Sequence, residues 1–115
     1  MNENEFVENV VRNNDWLNGW YDYMDGDEMA ILESDKYKKY KECENVYELH
    51  KMLVNFDGAF KYKNLFFFKH WNYGIFVYDI NKSYERYVEH LHPEIEFEKF
   101  KTIVENLLSK NEKGG

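Results

Sequence analysis

Apolar residues recur at helical spacing near both ends of the chain and run together in its middle, and the two patterns predict different elements. Phe6, Val7, Val10 and Val11 form one stripe, with Asn2 or Asn4 in place to cap it and Glu3, Glu5 and Glu8 favouring the positive end of a helix. That helix is expected to stop at Asn13-Asn14-Asp15. Trp16, Leu17, Trp20, Tyr21 and Met24 keep helical spacing, but Gly19 interrupts them, and Trp20 to Met24 fits an extended segment equally well. Asp25-Gly26-Asp27-Glu28 reads as a turn, leaving Met29 to Leu32 as the return strand of a hairpin or the start of another helix. Ser34 is placed to cap a short Lys/Tyr-rich helix from Asp35 to about Glu42.

Asn45 and Glu48 have capping-box spacing; Val46, Leu49, Leu53 and Val54 supply one apolar face, and Gly58 follows as a terminator. Ala59 to Lys69 alternates at first, then is continuously apolar from Leu65 to Phe68, and Ile75 to Ile80 is a second β-rich run beyond a Gly-containing loop. Together they predict an antiparallel hairpin over about 59–80, and its unbroken apolar runs require cover on both faces, which helices can provide. Tyr84, Tyr87, Val88 and Leu91 fall at i, i+3, i+4 and i+7 and predict a helix ending before Pro93. Pro93 suits the first turn of a final helix whose stripe is Ile95, Phe100, Ile103, Val104, Leu107 and Leu108. The resulting expectation is a small α+β domain, mostly helical around a central hairpin, over residues 1–110 with a frayed tail at 111–115.

Composition changes this picture in two ways. The 115 residues include 10 Tyr, 9 Phe and 3 Trp, an aromatic load sufficient to drive folding of one core. They also include one Cys, Cys43, so no intrachain disulfide forms and a Cys-based zinc site is excluded unless chains share it. No stretch approaches the roughly 18 apolar residues of a membrane span, and Met1 to Glu8 is acidic rather than a basic leader, so a soluble cytoplasmic protein is expected. The abundance of Asn and Lys beside two Arg and two Ala suggests AT-rich codons, as in a low-GC bacterium or its phage.

Charge is unevenly distributed. The formal net charge of −7 sits in the first third, where residues 1–35 hold ten acids and one base. Residues 36–70 are net basic. A net acidic chain does not bind phosphate backbones through its overall field, so direct nucleic-acid binding is not the leading expectation.

Candidate chemistry is sparse. Aligning Gly26 with the glycine of a calcium-binding EF-hand loop puts Tyr21 and Tyr23 where ligands are required, so Asp22, Asp25, Asp27 and Glu28 do not complete that site. His90 and His92 flank Leu91 without a metal-completing partner, and His50 reads as a boundary residue of its helix. Ser34 and Ser83 stand at expected helix starts, and Asp79, at a strand end with Lys82 and Glu85 nearby, lacks catalytic partners. The six glycines are scattered, without a phosphate-cradling pattern. No enzyme activity, cofactor or metal is expected.

Two surfaces remain. Phe60, Tyr62, Phe66 and Phe68 interleave with Lys61, Lys63 and Lys69 in the manner of a single-strand nucleic-acid platform, with core packing as the competing role. Residues 15–35 combine seven acids with Trp16, Trp20, Tyr21 and Tyr23 and contain no base. Carboxylates steer toward a cationic surface, and Trp and Tyr anchor interfaces once water leaves. The expected partner-binding set is therefore Trp16, Trp20, Tyr21, Asp22, Tyr23, Asp25, Asp27, Glu28, Glu33 and Asp35. The leading expectation is a non-enzymatic acidic inhibitor, phage- or mobile-element encoded, that docks on the basic nucleic-acid-binding surface of a host defence nuclease as an anti-CRISPR or anti-restriction DNA mimic. The alternatives are an immunity or antitoxin protein, or a nucleic-acid or small-ligand binder that uses the hairpin. The aromatic load also fits a homodimer.

Overall fold

The computed structural model describes residues 2–13 and 40–114. In order these form α1 (Glu3–Asn13), β1 (Lys41–Glu42), α2 (Val46–Asn55), β2 (Gly58–Tyr62), β3 (Leu65–His70), β4 (Gly74–Asp79), β5 (Glu89–Leu91) and α3 (Phe97–Gly114). Three helices and a five-stranded mixed sheet, counted among the described residues, make the expected α+β domain.

Each helix start follows from local chemistry. The Asn2 side chain accepts the Glu5 backbone N–H at 2.8 Å and donates back to the Glu5 carboxylate at 2.9 Å, closing a reciprocal cap on α1. Asn45 likewise accepts the Glu48 N–H at 2.8 Å, but the Glu48 carboxylate takes the N–H of Glu44, at 3.1 Å, rather than that of the cap itself. Helix α2 ends where extended Phe56 donates its N–H to Met52, and Gly58 opens β2 instead of closing the helix.

Strands lie in the order β1-β2-β3-β4-β5, with β1 parallel to β2 and every other pair antiparallel. The unbroken apolar run of β3 is explained by helices on opposite faces of the sheet. Phe66 and Phe68 join Ala59 and Tyr78 against Phe6, Val7 and Val10 of α1. Leu65 and Phe67 join Phe60, Ile75 and Val77 against Leu49 and Leu53 of α2 and Phe100 and Val104 of α3. The Phe6 and Phe66 rings lie 5.1 Å apart on one face, and Phe67 and Phe100 lie 5.8 Å apart on the other. At about 1.5–3 kcal/mol for each fully buried large apolar side chain, the phenylalanines of β3 are the largest contributors that one short segment makes.

Four sequence expectations change. The run from Ala59 to Lys69 is two strands, because Lys63 takes φ 56° and turns the chain with Asn64 so that Tyr62 pairs with Leu65. Lys-Asn in place of Asn-Gly hid the turn, and the central hairpin becomes a meander. Residues 84–91 do not form a helix. The Ser83 hydroxyl accepts the Glu85 N–H, Val88 N–H reaches the Val77 carbonyl, and Glu89–Leu91 pairs with β4. Their spacing suited a helix, but the edge of β4 offers strand partners, and the residue before Pro93 favours extended backbone. Lys41 and Glu42 form a strand beside β2, so the helix expected over 35–42 does not reach its end; residues 35–39 lie outside the described residues. Pro93 sits in a turn closed by Ile95 N–H to the His92 carbonyl, and α3 begins later, at Phe97, and runs past position 110. The undecided segment 16–32 also lies outside the described residues.

Candidate interaction surface

The ten residues expected to bind a partner, from Trp16 to Asp35, lie outside the described residues. The hairpin platform can be located, and most of it belongs to the interior. Phe60, Phe66 and Phe68 are fully buried, so their ring faces are not available for base stacking. The lysines between them are committed as well. Lys61, 7% exposed, reaches Glu3 of α1 at 3.4 Å and Glu42 of β1 at 3.3 Å. The Tyr40 hydroxyl donates to the same Glu3 carboxylate, so one acidic side chain of α1 collects both a lysine and a tyrosine from around the sheet. Lys69, 5% exposed, pairs with Asp57 at 3.1 Å, and Asp57 also accepts the Trp71 N–H at 3.2 Å, fixing the turn between β3 and β4. Lys63 lies over the half-buried Tyr62 ring and is the exposed lysine of this set.

The remaining polar candidates serve the backbone. Asp79 is buried and accepts from the Asn64 side chain at 3.0 Å and the Asn81 N–H at 2.9 Å, so its carboxylate organises the exit of β4. The histidines are distributed similarly. His50 donates to the Ile95 carbonyl at 2.7 Å, and His90 donates to the Tyr73 carbonyl at 2.8 Å. His70 accepts from the Asn72 N–H at 3.1 Å, and His92 accepts from the Glu94 N–H at 3.0 Å. His90 lies on strand β5 and His92 follows its last residue, Leu91, so the pair straddles a strand end instead of a helix end. Among the described residues no group of three or more His, Cys, Asp or Glu side chains could hold a metal ion. Cys43 is buried, and burial together with the nearby Glu48 carboxylate pushes its thiol up to about 12, far from the range of a nucleophile.

The described surface carries one feature the sequence pattern did not single out. Trp71, Tyr73 and Tyr87 are 65%, 54% and 49% exposed, and they surround the end of the sheet where β4 meets β5. The His90 ring stacks on Phe76 with centroids 4.1 Å apart and planes 11° apart, and Tyr87 closes edge-on against Phe76 at 5.2 Å. His70 adds contacts to both Trp71 and Tyr73. A cleft of about 470 Å³ opens between Trp71, Tyr73, His92 and Pro93, and a second of about 610 Å³ lies between β5 and α3. The available signal was the loop His70-Trp71-Asn72-Tyr73-Gly74 itself, since large rings in a tight turn have little chance of reaching a core.

No helix among the described residues is long and apolar enough to cross a membrane. No protein-family model matches the chain, and no curated protein or solved structure matches it.

Proposed function

We propose that this is a non-enzymatic acidic binding protein that docks on, and blocks, the basic nucleic-acid-binding surface of a partner such as a host defence nuclease. The observation that carries the reading is the segregation of charge: ten acids face one base over residues 1–35, with four aromatics set among the acids of 15–35. The burial of Phe60, Phe66 and Phe68 and the pairing of Lys61 and Lys69 support it indirectly, because they weigh against the competing reading of the sheet as a nucleic-acid platform. In this mechanism Asp22, Asp25, Asp27, Glu28, Glu33 and Asp35 stand in for backbone phosphates, and Trp16, Trp20, Tyr21 and Tyr23 supply apolar anchors.

A pull-down from a low-GC bacterial lysate, identified by mass spectrometry, supplies the partner. Titration of wild type and of the Asp25→Lys, Asp27→Lys, Glu28→Lys variant against it, at low and moderate salt, then tests the mechanism. The variant is expected to lose more than about 1 kcal/mol of binding and much of the salt dependence. Equal affinity in the two proteins would refute mimicry.

A further inference from the structure

Strand β5 ends the sheet among the described residues, and its outer edge has the features of a docking site for an extended chain. His90 pairs with Phe76 in the β4–β5 register, yet its N–H is directed to the side chain of Glu89, at 3.3 Å. That distance lies just beyond the range of about 2.7–3.2 Å usual for a backbone N–H meeting an oxygen. The donor is therefore held by a weak local contact that a strand carbonyl can replace.

The two faces of β5 differ. Glu89 and Leu91 are paired with Val77 and Ile75, whose side chains belong to the core under α2 and α3, so they flank the larger cleft. Glu94 and Glu96 join Glu89 in lining that cleft, against the single base Lys99. His90, one residue out of phase, turns to the opposite face, where its ring stacks on Phe76 beside exposed Tyr87. An incoming strand also alternates its side chains between faces. The acidic cleft therefore receives one set of its residues and the aromatic face the other.

We propose that the edge of β5 binds an extended segment of a partner protein, by strand addition, in which Lys or Arg alternates with apolar residues. Main-chain hydrogen bonds fix the segment, the carboxylates of the cleft select its cations, and exposed Tyr87 and His90 select its apolar residues. Natural edge strands are commonly blunted by short length, charge, proline or a bulge; Glu89–Leu91 is short and carries the charge of Glu89, which opposes an acidic or neutral strand and favours a cationic one. A second copy of this chain fits the edge poorly, because it would bring a second set of Glu89, Glu94 and Glu96 to the same place. The proposal stands apart from the acidic-segment reading, since it uses other residues.

The test uses the full chain and a synthetic peptide, acetyl-Lys-Val-Lys-Val-Lys-Val-Lys-amide, followed by amide NMR. Saturable binding is expected, with the largest shift at the His90 amide. Replacing the peptide lysines by Glu, N-methylating alternate peptide nitrogens, or making the exposed Glu94→Lys, Glu96→Lys double variant should each weaken binding at least tenfold. Absence of saturation at about 1 mM peptide, where even a binding free energy of about −4 kcal/mol would be seen, overturns the proposal. So does equal binding of the N-methylated peptide, which identifies charge adhesion without strand pairing. Loss of binding in the Asp25, Asp27, Glu28 variant but not in the Glu94, Glu96 variant moves the site to the acidic segment and also overturns it. Concentration-dependent dimerisation that shifts the His90 amide without peptide makes the edge a self-interface and refutes the proposed partner.

Discussion

Gly74 controls how closely β4 and β5 approach, and replacing it with alanine is the most direct test of that end of the sheet. Its φ is +99°, a region an L side chain rarely adopts, and a Cβ built there would lie 2.7 Å from the Leu91 carbonyl oxygen and 2.9 Å from His90 Nε2. The backbone strain alone costs about 1–3 kcal/mol. Relieving the contact with the Leu91 carbonyl requires the β5 backbone to move, adding an overpacking cost of about 1–3 kcal/mol. A total of about 2–6 kcal/mol is a large part of the roughly 5–15 kcal/mol that holds a domain together. With a urea m-value of about 1.5 kcal/mol/M, the unfolding midpoint should fall by roughly 1.3–4 M. Urea titration followed by far-UV circular dichroism measures this, and amide exchange should show the loss of protection concentrated at Glu89–Leu91. His90→Ala in the same background should recover less than half of the loss, because the nearest obstacle is backbone. A loss below about 0.5 kcal/mol, the usual range for a neutral surface change, would refute the steric account, and full recovery by His90→Ala would place the conflict in the imidazole instead.

Two further outcomes follow from buried polar groups. Asp57→Asn retains an acceptor for the Trp71 N–H but leaves Lys69 buried without its anion. It should cost about 2–3 kcal/mol in urea unfolding, less than a fully enclosed pair because the Asp57 side chain keeps 17% exposure. Cys43 should resist thiol reagents at pH 8 until the protein is unfolded. Its thiol titrates near 12 in the folded chain against an ordinary 9.0, so between those values the folded state holds more protons than the unfolded one. Stability from this group is fully present below about pH 9 and is lost as pH rises toward about 12, and Cys43→Ala should flatten that part of the stability curve.

The elements that sequence patterning located correctly are those whose signals are local. The Asn2 and Asn45 caps, the stripe of α1 and most of the face of α2 depend on residues within one or two turns; Leu49 and Leu53 are buried with Val46 packed beside them, whereas Val54 is 38% exposed. The two-faced burial of β3 was also legible, since Phe66, Phe67 and Phe68 in succession leave no polar side. What escaped depended on partners distant in sequence. Nothing near Glu89 shows that β4 has an open edge, and Tyr84, Tyr87, Val88 and Leu91 satisfy helical spacing by coincidence. The same blindness applies to Lys61 and Lys69, whose alternation with aromatics resembled a ligand platform until their anions, Glu3, Glu42 and Asp57, came into place around them.

The placement of α1 has a consequence for the order in which the molecule assembles. Strands β2 to β5 are joined through residues 63–64, 71–73 and 80–88, so their pairings close short loops. Docking of Phe6 on Phe66 links positions sixty residues apart. Closure entropy grows with the logarithm of that separation, and contacts between near neighbours are made first. The meander is thus expected to form first, and the face completed by α1 to close after the rate-limiting barrier. Truncating Phe6 or Val10 is therefore expected to speed unfolding more than it slows folding, and until α1 docks Phe66, Phe68 and Tyr78 lack the cover it gives them.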